Sequence, residues 1–195
     1  MIQAFRRLIL FFPFIAVPFV HAHPGHAGHE LTWDFSGGFA HPLSGWDHLI
    51  AMIAVGLWAA QLGGRARWLV PTAFLGAMAL GAVYGQTFGS VPGIEQGIAA
   101  SVFVLGLLIA AAVRLPVAAS MALVGVFAIF HGMAHGAEIP GTASGLTYGV
   151  GFVAATALLQ AAGVGLGSLL TRFSEQAPKI AGLLVAASGA ALLVL

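Results

Sequence analysis

Six apolar stretches of near-membrane length, separated by breaks of only a few residues, constrain this chain more than any other feature. They run at about residues 42–62, 68–88, 94–113, 116–135, 146–170 and 180–195. An α-helix needs roughly 20 mainly apolar residues to cross a bilayer, and tight breaks join antiparallel neighbours. The expected fold is therefore all-α, a polytopic membrane bundle of six transmembrane helices in contact with lipid. Composition excludes a soluble alternative: only 7% of the residues are charged, against roughly a quarter in a soluble domain. Glycines such as Gly76, Gly81, Gly106, Gly163, Gly165 and Gly167 let helix backbones approach closely in lipid, so the bundle should be compact.

Ahead of the spans, residues 1–22 read as a signal peptide. Arg6 and Arg7 form its basic start, and an apolar stretch interrupted by Pro13 and Pro18 follows. Val20-His21-Ala22 then offers a cleavage site. Cleavage after Ala22 is expected, with an uncleaved anchor as the alternative. Residues 23–40 form a polar, His-rich, glycine-rich periplasmic segment, and residues 41–195 the six-span domain. Arg65, Arg67, Arg114, Arg172 and Lys179, the basic residues beyond the signal, all fall in alternate loops. The positive-inside rule assigns those loops to the cytoplasm. A cleaved signal independently predicts the same arrangement, with the mature N-terminus in the periplasm and the bundle in the bacterial inner membrane.

The histidines carry the chemistry. The chain has eight, more than its seven Lys and Arg together, and no cysteine, which removes thiolate sites and disulfides. A net charge of +1 gives no basic patch for nucleic acid. One cluster, His41-Pro-Leu-Ser-Gly-Trp-Asp47-His48, opens the first span. Pro42 suits a first helical turn, leaving His41 near the cap. On a continuous helix His41, Ser44, His48 and Met52 share one face, with Asp47 about 100° away. Asp47 is then a ligand or the carboxylate that orients one.

The second cluster, His131-Gly-Met-Ala-His135-Gly-Ala-Glu138, closes the fourth span. Its i, i+4, i+7 spacing puts two imidazoles and a carboxylate on one stripe if the helix persists that far. The alternating topology brings both clusters to the outer half of the membrane, roughly 5–10 Å deep. Four imidazoles with one or two carboxylates suit nickel, cobalt, zinc or copper(II) rather than magnesium or calcium. A purely structural polar network is the competing reading, weakened because ionisable groups inside a membrane are costly and usually functional.

The stretches HPLSGWDHLIAMIAVGLWAAQLGG and FHGMAHGAEIP resemble the HupE/UreJ family of nickel/cobalt permeases. The resemblance covers the signal, the His-rich exit, the six spans and both motifs. It implies secondary transport of Ni2+ or Co2+, in a family associated with hydrogenase, urease or cobalamin pathways. It points to His41, Asp47, His48, His131, His135 and Glu138 as metal residues, the metal being substrate rather than prosthetic group.

A further His-rich tract comprises His21, His23, His26 and His29. His23 would begin the mature chain and chelate through its amine and ring, joined by His26. A solvated linker explains the tract equally well, because His-richness is compositional evidence only. Trp33, Trp46, Trp58 and Trp68 are expected mostly near span ends. The methionines are expected to pack, with Met52 the exception because it extends the His41–His48 face. Gln86, Glu95, Gln96 and Tyr148 are placed at the outer entrance, and Gln160 deep in the fifth span, on a permeation path or bonded to a neighbouring helix.

No Gly-x-x-x-x-Gly-Lys-Ser/Thr loop, His-Glu-x-x-His motif or nucleophile elbow is present, so ATP hydrolysis and other enzymatic activity are not expected. An integral-membrane metalloenzyme and a metal-delivery component are the rival readings. Self-association into a homo-oligomer is left open, as is the choice between nickel and cobalt.

Overall fold

The structure is a computed structural model that describes residues 32–139 and 143–194. The expected signal peptide and the His23 and His26 site lie outside the described residues. Seven helices are described: α1 (Phe35–Ser44), α2 (Trp46–Leu62), α3 (Ala66–Phe88), α4 (Ile94–Ala110), α5 (Val117–Glu138), α6 (Ala143–Phe173) and α7 (Ala177–Val194). Helices α2 to α7 fall on the six expected stretches within a few residues. The described residues are all-helical, and the chain is a multi-pass membrane protein.

The spans are unequal, however. Helices α3, α5, α6 and α7 are each long and apolar enough to cross a membrane. Helix α4 is apolar but has 17 residues, or about 25 Å of rise against a hydrocarbon core of about 30 Å. Helices α1 and α2 meet the same test only together, bent by 84° at their junction. Among the described residues there are thus four self-sufficient spans, or five with the bent pair.

The first span differs from expectation in an informative way. Its helix does not start at Pro42; a separate helix begins at Phe35, within the stretch read as polar linker, and Pro42 lies inside it. Asp34 caps this helix by accepting from the Gly37 amide at 2.8 Å and the Ser36 hydroxyl at 2.7 Å. Those bonds, the Gly37 amide first, hold the Asp34 carboxyl below its ordinary value. Pro42 has no amide to continue the ladder, and the helix ends two residues later. The Ser44 hydroxyl donates to the His41 carbonyl at 2.8 Å, and Gly45 is extended before α2 starts. The single face shared by His41, Ser44, His48 and Met52 is therefore broken at Gly45.

The helices pack in three seams closed by small residues. Along α2 and α6, Gly163 meets Ile53 and Gly167 meets Leu57 and Ala60. Along α3 and α5, Gly81 meets Ile129 and Gly85 meets Met133. Along α4 and α7, Gly106 meets Ala186 and Gly189 meets Phe103. In several of these contacts a Cβ would overlap backbone atoms of the partner helix, so close approach excludes larger residues. The order of contacts makes α2 and α6 parallel, α3 and α5 parallel, and α4 and α7 antiparallel. That pattern is the one a chain crossing the membrane at every helix from α2 to α7 must produce.

Trp58 is fully buried, not interfacial. Its indole N–H donates to the Val113 carbonyl at 3.2 Å, and the Gln61 amide donates to the Ile109 carbonyl at 3.1 Å. Both tie α2 to the end of α4, where the last helical carbonyls need donors. Trp46 and Trp68 are exposed, as expected of aromatics at span ends.

Candidate metal centre

The junction between α1 and α2 delivers the first group of side chains. His41 sits one turn from the end of α1, and Asp47 and His48 occupy the first turn of α2. There the partial positive charge of the helix N-terminus favours the Asp47 carboxylate. Gly45 is needed between them: a Cβ there would lie 2.9 Å from Asp47 Oδ1 and 3.0 Å from His48 Nδ1. His131, His135 and Glu138 come from the last turns of α5, which continues to Glu138, so their stripe forms as the spacing requires.

Four imidazoles meet. The ring centres of His48 and His135 are 4.3 Å apart, those of His41 and His135 4.8 Å, and those of His48 and His131 5.7 Å. His48 and His135 face each other through their Nε2 atoms. Hence the break at Gly45 does not separate His41 from His48. The bend folds them around one point, with ring centres 6.1 Å apart.

The outer partners of the rings set which nitrogens are available. His131 Nδ1 donates to the Phe127 carbonyl at 2.9 Å, which leaves Nε2 as the lone-pair nitrogen. That Nε2 is buried and has no hydrogen-bond partner, and the same holds for His135 Nδ1. Asp47 Oδ1 lies 2.8 Å from His48 Nδ1, a close contact whose alignment leaves Oδ1 without a true hydrogen-bond donor. His41 Nδ1 shares a 2.7 Å hydrogen bond with the Tyr148 hydroxyl. A backbone carbonyl and a phenol thus hydrogen-bond two of the four rings and a carboxylate lies against a third, resembling the outer-shell pattern usual for metal-ligating histidine.

The carboxylates take different places. Asp47 is buried against His48. Glu138 is exposed and approaches His41 and His135, one ligand atom from each of the three lying within 4.8 Å of the others. A cation there can take imidazole nitrogen from several directions and a carboxylate oxygen from the open side.

Sequence reasoning gave Tyr148 only a place at the entrance and did not single out Phe152. The Phe152 ring packs 4.7 Å from His135 and 5.7 Å from His41. Their four-residue spacing on α6 was the available signal. A cavity of about 560 Å³ adjoins the cluster between α3, α5 and α6, lined by Met78, Ala82, Gln86, Gly132, His135 and Phe152 among others. Gln86, placed at the outer entrance by sequence, lies on this cavity.

The family model described as HupE / UreJ protein matches residues 11–192. The chain belongs to this family. It is also 44% identical over 183 residues to Protein HupE of Rhizobium leguminosarum bv. viciae, covering 92% of this chain and 93% of that protein. No solved structure matches the chain. Both histidine motifs lie inside the family match.

Proposed function

We propose that this protein is a permease that takes up nickel or cobalt across the bacterial inner membrane. In this reading the signal is removed, the mature N-terminus is periplasmic and helices α2 to α7 each cross the bilayer. His41, Asp47, His48, His131, His135 and Glu138 capture the ion near the periplasmic face. The alternating helix directions support that topology. So does the position of Arg65 and Arg114 in loops, and of Arg67, Arg172 and Lys179 in the helical turns beside loops, all at the end opposite the histidines.

One observation carries the metal reading: ring nitrogens of His131 and His135 are buried without partners inside a four-imidazole cluster. Each buried orphan costs about 1–3 kcal/mol, a cost that binding to a cation with affinity for imidazole offsets. The donor set of neutral nitrogen with carboxylate oxygen suits nickel and cobalt. An inward-negative potential favours a divalent ion by about 4–5 kcal/mol per 100 mV, so uptake needs no nucleotide. The ion exchanges water for imidazole on entry and leaves when the bundle rearranges. His23 and His26 are proposed to raise its local concentration outside.

The test is uptake of radiolabelled nickel and cobalt by cells holding wild type or His48→Ala at matched membrane levels. Saturable uptake of one metal, lost in the variant, is expected. Ligating imidazoles must be neutral, so wild-type uptake should be lost once the external pH is low enough to protonate them. A wild type that binds metal without moving it contradicts transport and favours a delivery component or a metalloenzyme.

A further inference from the structure

A second set of polar groups lies deeper in the bundle. Helix α6 carries Tyr148, Phe152, Thr156 and Gln160 at intervals of four, hence along one face. Tyr148 and Phe152 touch the imidazole cluster; Thr156 and Gln160 continue inward from it. Helix α2 runs parallel beside this face and places Met52 one turn, about 6 Å, inward of His48. The two lines meet where the Gln160 amide nitrogen lies 3.9 Å from Met52 Sδ. Gly56 packs against the Gln160 backbone and holds the helices together there.

Two oxygens at this level have no partner. Thr156 is fully buried and Gln160 is 1% exposed, yet Thr156 Oγ1 and Gln160 Oε1 accept and donate nothing. A helical hydroxyl normally bonds the carbonyl four residues back, as Thr72, Thr87 and Ser168 do in this protein. Thr156 has the same option and does not take it. Methionine packing alone leaves these oxygens unexplained.

We propose that Met52, Thr156 and Gln160 form a second cation station, through which a partly dehydrated divalent transition-metal ion passes after leaving the imidazoles. The inference rests on the permease reading above and extends it from capture to passage. The donors here are a thioether, a hydroxyl and a carboxamide, all uncharged. They bind more weakly than imidazole and carboxylate, which a transit station requires, since an ion held too tightly does not leave. The thioether favours softer first-row ions and offers nothing to magnesium or calcium.

The test uses the purified full chain in proteoliposomes, with nickel as probe and two readouts: equilibrium binding, and uptake per binding-competent chain. Gln160→Leu and Thr156→Val should keep affinity within about twofold of wild type while slowing uptake about 10–100-fold. Gln160→Glu should bind a second nickel ion per chain and release it slowly. Unchanged uptake in both Gln160→Leu and Thr156→Val overturns the proposal, and so does a parallel loss of binding and uptake, which marks a structural role. His48→Ala in the same vesicles separates the two levels. If it transports normally, or wild type does not transport, the permease reading fails and the station with it. If it alone loses uptake, only the station fails.

Discussion

The two faces of α5 near its end are one residue apart in sequence and opposite in character. Gly132 and Gly136 face α3, where a Cβ on either would run into backbone of Met78 or Ala82. His131 and His135 face the cluster, where one buried nitrogen of each ring has no partner. One face is closed by backbone contact with no slack, and the other keeps bonding capacity in reserve. In lipid, where apolar surface gains little by leaving its solvent, close packing supplies stability and unsatisfied polar groups mark chemistry. The two faces should therefore fail differently when altered.

The largest effect is expected at the packed face. Gly132→Val should cost about 3 kcal/mol or more by overpacking and remove most folded protein from the membrane, read as a lowered melting temperature in detergent. Gly165→Ala, a position with open space around it, should change stability by no more than about 1 kcal/mol. If the two glycines respond alike, the distinction between the faces is lost. His131→Ala should do the reverse, cutting metal affinity about 100-fold or more with a smaller change in melting temperature than Gly132→Val.

Gly45→Ala tests whether the junction of α1 and α2 belongs to the chemical face. Its Cβ presses on Asp47 and His48, so affinity should fall about tenfold with the helices intact by circular dichroism. Glu138→Gln should have the smallest effect, a few-fold loss, because Glu138 is exposed at the mouth of the site. A larger loss than that from His131→Ala would move the centre of the site outward.

Much of this contrast was legible in the sequence. Helix positions followed from apolar length, since lipid leaves a spanning chain few alternatives. The partnership of the two histidine motifs followed from alternating topology, which brings both to one depth. The break at Gly45 was not legible. HPLSG reads as a helix start because proline fits a first turn, and only the docking of α1 against α6 shows that Pro42 closes a preceding helix. Trp58 looked interfacial by type, but its burial depends on α4 ending where it can supply the Val113 carbonyl. Phe152 was hidden among apolar residues of α6; its contact with two imidazoles is a tertiary fact.

The measurement that tests the account most directly is X-ray absorption at the nickel edge on the purified, nickel-loaded protein. The account predicts a nitrogen-dominated shell with imidazole multiple scattering that weakens in His131→Ala. A shell made only of oxygen, or one unchanged in His131→Ala, would contradict it.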